Sequence, residues 1–398
     1  MSRGQEKYPA CIYILWEVGI LKPVVRRAMH WTLLGMVCLV LGIMLFLWPE
    51  GSSEGVRNGL SLCASVVIPS LFPFMVLSAF LIKSGLAERI GRMMEPVTRF
   101  LFGLPGCTAA PILMSLIGGF PVGARAAAEL RRREEISQRD FTHMLCFCIN
   151  AGPAFMIGAV GSMIGSYNAG LLLYFSQIGA SLLLGMVMRF VLPKKQSEDV
   201  PTRFQKTLGT ADAFVESVAD TATSMLSICA FVVIFAALTG MFQQVGITHL
   251  VSRIMEGPIE VLGLHPALAG AVFPCILEIT TGCAAAANAG TAAIPLIGAA
   301  SGWSGLSVQC QVLSTMRDLK PSKKWFWIGR ISCAGLSGIL ATLLMQVWPR
   351  AQEVFSTGTQ PIMQPFFFSA PASAALLAFS AFMVLVARPS RVESEREI

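Results

Sequence analysis

Long apolar runs alternate with short charged segments along the chain, and this alternation predicts a series of membrane-spanning helices. A run of about 20 apolar residues is long enough to cross a hydrocarbon core about 30 Å thick. We assign eight such spans, at 29–48, 62–82, 141–165, 169–192, 218–241, 292–315, 325–347 and 366–387. Residues 83–104 and 246–263 read instead as helices that lie at the membrane interface.

Two further apolar runs are too short to cross the membrane. Residues 105–117 form about 20 Å of helix before the break Gly118-Gly119-Phe120-Pro121, and a second helix then leads to the arginines at 131–133. Residues 266–277 end in the same way at Glu278, and the chain turns back after it. The pattern therefore predicts two re-entrant hairpins, at 105–133 and 266–290.

Two of the predicted spans are interrupted near their centres. Asn150 to Pro153 breaks the third span and Ser301 to Gly305 the sixth, each about ten residues or about 15 Å inside. Irregular backbone at that depth is tolerated only where it is buried in protein or lines a cavity. We expect these two breaks and the two hairpin tips to meet near the middle of the membrane.

The order of elements in the first half recurs in the second half, and some residues recur with it. Three residues return 161 positions later, so that Gly85, Arg92 and Glu95 correspond to Gly246, Arg253 and Glu256. A recurrence at one offset indicates an internal repeat. The predicted fold is an all-α polytopic membrane protein, with about eight transmembrane helices plus two re-entrant hairpins in an inverted repeat.

Charge and composition support the same topology. The chain of 398 residues is 54% hydrophobic and 13% charged, with a mean hydropathy of +0.66, which is typical of an integral membrane protein. With the N-terminus inside, 27 of the 30 Lys and Arg residues, Arg330 among them, fall on the inner side. This bias predicts cytosolic N- and C-termini and makes the two repeats inverted. The net charge of +7 then reflects topology, and we expect no nucleic acid partner.

The predicted organisation has six parts. They are an N-terminal cytosolic or interfacial segment (1–28), a first transmembrane helix and loop (29–56), repeat 1 with its hairpin (57–193), a cytosolic linker (194–212), repeat 2 with its hairpin (213–348), and a loop, last helix and cytosolic tail (349–398).

The two hairpin tips and the two breaks carry the candidate substrate-binding residues. They are Gly118, Gly119, Pro121, Gly123, Arg125, Asn150, Gly152, Pro153, Glu278, Thr280, Thr281, Gly282, Trp303, Ser304 and Gly305. A helix that begins at Pro121 would place a positive helix end in the membrane, with Arg125 in its first turn, and together they form a candidate anion site.

Several of these residues have two readings. Arg125 would hold a carboxylate through its planar fork, or it would belong to the cytosolic arginine cluster. Glu278 would bind substrate, a proton or a cation, or it would pair with Arg125 for structural reasons. Asn150 would line the site or join helices. Thr280 and Thr281 would donate hydroxyls to a ligand or cap a helix, and Trp303 would stack on an aromatic ligand or pack.

Other chemistry is poorly supported. Cys146-x-Cys148 has no matching ligand pair, so no metal site is predicted. The chain lacks an HExxH motif and an Asp pair in the middle of a predicted span, so we do not expect an enzyme. No cofactor is predicted, although a coupling proton or sodium ion stays open, as does a homo-oligomer.

At these motifs the chain resembles the YlbJ-type (SpoVV) sporulation integral membrane proteins, which carry the Gate, or nucleoside-recognition, domain. The resemblance covers roughly residues 30 to 350. It rests on the motifs at 118–125, 150–153, 278–282 and 303–307, which read GGFPVGAR, NAGP, EITTG and WSGLS. The wider Gate relatives, the concentrative nucleoside transporters, also arrange two opposed hairpins and broken helices around a substrate.

The resemblance implies a transporter or facilitator in the outer forespore membrane that moves dipicolinate, an aromatic dicarboxylate, from mother cell into forespore. The residues alone indicate a transporter-like protein in a lipid bilayer with a small anionic substrate. Two alternatives stay open. One is a Gate-type transporter of a nucleoside-like molecule or another small anion, and the other is a non-transporting structural protein of sporulation.

Overall fold

A computed structural model describes residues 21–193 and 209–348, and every regular element within these two ranges is a helix. Residues 1–20, most of the predicted linker and the predicted eighth span lie outside the described residues. In the first half the helices are α1 (Leu21–Leu47), α2 (Pro49–Leu62), α3 (Ile68–Lys83), α4 (Leu86–Phe102), α5 (Ala109–Ile117), α6 (Phe120–Arg132), α7 (Gln138–Phe147), α8 (Gly161–Ile164) and α9 (Tyr167–Val191). In the second half they are α10 (Thr210–Val245), α11 (Ile247–Val261), α12 (Ala269–Leu277), α13 (Ile279–Ala287), α14 (Ile294–Trp303), α15 (Gly305–Ser314) and α16 (Lys323–Val347).

Three of these helices, α9, α10 and α16, are long and apolar enough to cross a membrane without a break. Two bent pairs raise the number to five if each is a single span, namely Trp31–Leu47 with Pro49–Ser65 at 93° and Met93–Phe102 with Gly106–Ile117 at 94°. The predicted spans at 141–165 and 292–315 are interrupted helices, as expected. These helices and the composition define an integral membrane protein, and the count of eight spans stays a prediction.

The prediction of a loop after the first span is wrong. Residues 49–55 belong to α2, which continues through a π-helical segment (Cys63–Val67) into α3. Gly51, Gly55 and Gly59 recur every four residues on the face of α2 that packs on α10. A Cβ on Gly55 would come within 2.4 Å of the Ala236 carbonyl oxygen. This close packing of two backbones stabilises a glycine-rich stretch as helix although its intrinsic preference is for a turn.

The predicted interfacial segments and hairpins are both present as helices. The amphipathic helix α4 ends at Gly103, which has a φ of 64°, and the chain then turns by 94° into the first short apolar helix. Helices α5 and α6 pack against each other, as do α12 and α13. We call these the first and second helix pairs. Their re-entrance into a membrane stays a prediction.

Candidate functional site

The tip of the first helix pair lies against the break in the third predicted span, residues 150–153, which we call the first break. Gly119 joins α5 to α6 with a φ of 90°, a conformation that L side chains rarely adopt. A Cβ built on Gly152 would lie 3.2 Å from the Gly119 nitrogen and 3.1 Å from the Ile117 carbonyl oxygen. Only glycine allows the two irregular segments to approach this closely, so their backbones form one surface.

The carbonyl groups that the first break frees at the end of α7 are bonded by side chains. The last four carbonyls of a helix have no partner within it. Asn150 Nδ2 donates to the Phe147 oxygen at 2.9 Å, and the Ser181 hydroxyl of α9 donates to the same oxygen at 2.6 Å. The Asn150 amide also contacts Ser115 Oγ of α5 at 3.3 Å. Asn150 therefore connects this break to the first helix pair, while its Oδ1 is buried and has no hydrogen-bond partner among the described residues.

The tip of the second helix pair is organised by Glu278. This residue is 1% exposed, and its Oε2 accepts a hydrogen bond of 2.7 Å from the Thr281 backbone nitrogen. Glu278 is thus the N-cap of α13, a position at which carboxylates favour helix formation. The Thr281 hydroxyl donates back to the Glu278 carbonyl oxygen at 3.2 Å, which accounts for one of the two threonines. A Cβ on Gly305 would lie 3.2 Å from the Glu278 Cα, so the second tip also lies against a break.

The break in the sixth predicted span, residues 301–305, is the second break and lies at the end of α14. Its carbonyl groups are also hydrogen-bonded. Ser304 is buried, has a φ of 73° and donates its backbone N–H to the Ala300 oxygen at 2.8 Å. The Gln309 amide donates to the Trp303 oxygen at 2.8 Å, and the Gln177 amide of α9 reaches the Ser301 oxygen at 3.5 Å. The carbonyls of Ser301 and Trp303 therefore have side-chain donors from other helices.

Arg330 connects the two breaks, a role that its sequence interpretation as an inner-side charge at the start of a span did not include. It lies seven residues into α16, about 11 Å along the axis, and is fully buried. Its guanidinium donates to the Cys146 oxygen at 2.6 Å and to the Ile149 oxygen at 2.8 Å, both at the first break. At the second break it contacts the Gly302 oxygen at 3.5 Å and Ser304 Oγ at 3.4 Å.

The four interruptions therefore form one continuous series of contacts. The first tip contacts the first break through Gly119 and Gly152, and the second tip contacts the second break through Glu278 and Gly305. Arg330 joins the breaks to each other. The expectation that these segments meet is consistent with this geometry, although their depth in a membrane stays a prediction.

Arg125 and Glu278 do not pair, which contradicts the structural reading of these two residues. Within the described ranges neither side chain forms an ion pair. Arg125 is half-buried in α6 and makes no hydrogen bond there. Its neighbour in charge is Asp220 of α10, to which Lys83 is ion-paired at 2.6 Å. The first helix pair thus carries a guanidinium without a direct partner among the described residues.

Four further sequence candidates make packing contacts, and their part in substrate binding stays a prediction. Gly123 and Gly282 lie where the two helices of each pair approach most closely, and Pro121 lies in the first turn of α6. Trp303 packs on Trp327 with ring centroids 5.8 Å apart, and its Nε1 donates to the Ile276 oxygen at the end of α12. Tyr174 makes the matching contact in the first pair, where its hydroxyl donates to the Leu116 oxygen at 3.1 Å.

Several residues that organise these contacts were missed from the sequence. They are Ser115, Gln177, Ser181, Gln309 and Arg330, all buried and all within apolar helices. A polar side chain inside an apolar run needs a partner there. This reasoning makes Glu278 a candidate from the sequence, and it would have indicated Arg330 in the same way.

One cleft lies apart from the breaks. It has a volume of about 430 Å³ and is lined by Gln243, Thr248, His249, Ser252, Pro266, Ala267 and Gly270. These residues surround the start of the second helix pair, whereas Glu278 lies at the opposite end of α12. Among the described residues, no group of three His, Cys, Asp or Glu side chains is placed to hold a metal ion.

The fold and these contacts define an integral membrane protein, helical throughout its described residues, with two helix pairs whose tips lie against two broken helices. Residues 64–190 match the Gate family model, described as "Nucleoside recognition". The matched segment contains the first helix pair and the first break.

Individual proteins are also similar to this chain. The sporulation integral membrane protein YlbJ of Bacillus subtilis (strain 168) is 26% identical over 323 residues, covering 75% of this chain and 78% of that protein. The resemblance inferred from the motifs is thereby confirmed. Among solved structures, a variant of CNTnw in its intermediate 3 state has a TM-score of 0.48 at 14% identity, covering 82% of this chain and 87% of that one. CNTnw in an inward-facing substrate-bound state has a TM-score of 0.43 at 13% identity, covering 80% and 84%.

Proposed function

We propose that this protein is a membrane transporter or facilitator that supports sporulation by moving a small anion, with dipicolinate as its substrate, from mother cell into forespore. The observation that carries the proposal is the continuous series of contacts among two tips and two breaks, joined by Arg330. Broken helices that meet in this way are the usual place for a substrate in secondary transporters. The Gate match and the similarity to YlbJ favour the same class.

The charges of the described residues favour an anion. Arg330 is buried without a carboxylate partner in these ranges, and Arg125 has no ion-pair partner there. The α6 N-terminus adds partial positive charge at the first tip. Glu278 has the opposite sign, so a dianionic substrate requires this carboxyl group to be protonated or to hold a coupling cation.

Two other functions remain candidates. The description of the Gate model favours a nucleoside-like substrate. A structural role in the sporulation membrane is favoured by the way the protein's own side chains bond the carbonyls at both breaks, since Asn150 and Gln309 would serve packing equally well.

Uptake by purified protein in vesicles separates these functions. Vesicles containing the protein should accumulate labelled dipicolinate, and unlabelled dipicolinate should compete while uridine should not. Competition by uridine alone would favour the nucleoside-like substrate. Vesicles that match protein-free controls for both compounds, with the protein folded, would favour the structural role.

A further inference from the structure

We propose that Arg330 is a positioning residue that holds the two breaks in register, so that either break moves only with the other. Arg330 lies on α16, whereas its acceptors lie on two other elements from the two halves of the chain. A guanidinium is a rigid planar fork with five donors, so it restrains the positions of the oxygen atoms that it bonds relative to one another. A residue that served one helix alone would not need acceptors on both.

The electrostatics of Arg330 also fit this role. Within the described ranges no carboxylate neutralises the guanidinium, and a buried charge needs compensation. The compensation comes from the carbonyl ends of α7 and α14, where the partial charge of a helix is negative. Both helix ends are therefore attracted to one cation, and each would be left with unbonded carbonyl groups if that cation were removed.

The hydrogen bonds of Arg330 to the two breaks are unequal in length, and its buried Nε has no partner among the described residues. The two contacts to the second break, at 3.5 and 3.4 Å, are longer than the two to the first break, at 2.8 and 2.6 Å. The second break is therefore the more loosely held, and we expect it to respond first when the guanidinium is altered.

Hydrogen–deuterium exchange on the purified full-length protein tests the proposal. We expect Arg330→Gln to raise exchange by tenfold or more in peptides that cover 146–153 and 300–306, both at once. Ser337→Ala is the matched control, because Ser337 is also fully buried on α16 but its hydroxyl is hydrogen-bonded to Ser301 of α14, at 3.3 Å, and to neither segment of the first break among the described residues. This control should raise exchange near 301 and leave 146–153 as in wild type. Wild-type exchange at either break in folded Arg330→Gln would overturn the proposal.

A second variant covers the case in which Arg330→Gln does not fold. Arg330→Lys keeps the charge but replaces the planar fork by a point donor, so it should loosen the second break more than the first and yet loosen both. Exchange that rises at one break only would overturn the proposal. These measurements need no substrate, so they stand or fall independently of the proposed transport function.

Discussion

Gly123 of α6 lies so close to Ser115 of α5 that a Cβ at position 123 would come within 2.1 Å of the Ser115 Cβ. The second helix pair repeats this relationship, since a Cβ on Gly282 would come within 2.4 Å of the Cys275 Cα. Ser115 and Cys275 lie 160 positions apart in the chain, as do Leu116 and Ile276, whose carbonyls accept from aromatic side chains. The two pairs are therefore built on the same contacts, as the predicted repeat requires.

This close packing predicts that Gly123→Ala and Gly282→Ala are both destabilising. An added methyl group has no room without a shift of backbone, and overpacking of this kind costs about 1–3 kcal/mol. Gly335→Ala is the control, because Gly335 lies within α16 with nothing within 4 Å of its added Cβ. In detergent the two pair variants should have lower thermal unfolding midpoints, and the control should be unchanged or more stable, since alanine is favoured over glycine in a helix. Equal midpoints for all three variants would contradict the packing.

The inverted orientation of the repeats predicts a labelling pattern. A single cysteine placed in 194–210 should react with a membrane-impermeant reagent only from the cytosolic side, and one near Gly358 only from the opposite side. The charge bias requires this, because basic loops remain inside. The bias does not depend on Arg330, whose burial removes it from the inner loops. Labelling of both positions from the same side would rule out the inverted repeat.

Arg125 is predicted to bind the substrate carboxylate. Since it makes no hydrogen bond or ion pair within the described ranges, its removal should leave the fold intact. Arg125→Lys should raise the KM for dipicolinate about tenfold because the planar fork is lost, and Arg125→Ala should raise it further. The control is Arg133→Ala, which removes the arginine that follows the C-terminal end of α6 and is ion-paired to Glu129 at 2.9 Å. If the Arg125 and Arg133 variants behave alike, Arg125 belongs to the cytosolic cluster.

An ion pair between Arg132 and Asp318 is predicted to hold the end of α6 against the segment after α15. The guanidinium contacts Asp318 at 2.8 and 3.1 Å and the Thr315 oxygen at 2.6 Å. The hydrogen bond from Arg132 holds the pKa of Asp318 below its ordinary value. The pair therefore contributes above that ordinary pKa and is lost only as the pH falls through the lower folded value.

Between pH 5 and 8 this contact should consequently stay charged. We expect Asp318→Asn to change the transport rate by the same factor at every pH in this interval, as measured by vesicle uptake. A change in the shape of the pH profile would show that Asp318 titrates within the interval, contrary to its lowered pKa.

The parts of the site that follow from local sequence were predictable, and the parts that depend on distant partners were not. Gly118, Gly119 and Gly152 are recognisable because clustered glycine and proline, as in Gly-Gly-Phe-Pro and Ala-Gly-Pro, mark a break in an apolar run. The burial of Arg330 was not recognised, because seven residues into a helix is also where a snorkelling arginine would lie. Its acceptors lie more than 20 positions away in sequence, and no local pattern indicates which carbonyls it will meet. The glycines of α2 misled for the same reason, since their packing partner is α10.

Glu278 provides the last and most decisive prediction, because its structural role and its charge can be separated. Its side chain caps α13 through one oxygen atom, and a glutamine oxygen can accept the same hydrogen bond from Thr281. Glu278→Gln should therefore keep the fold and the unfolding midpoint of the wild type. Glu278→Ala loses the cap and should be destabilised by about 1 kcal/mol.

Transport measurements test the charge of Glu278 separately from its role as a helix cap. A buried carboxylate near a dianionic substrate must be neutralised by a proton or a cation, and glutamine makes that step unnecessary. We expect Glu278→Gln to transport dipicolinate with an altered dependence on pH or on sodium, and sporulating cells that carry it to yield spores poor in dipicolinate. If Glu278→Gln instead retains the wild-type rate and pH profile while Glu278→Ala loses stability, the carboxylate serves only as a helix cap. The coupling step would then depend on another group. That group would not be a buried acid of the described residues, because Glu278 is the only acidic side chain buried there.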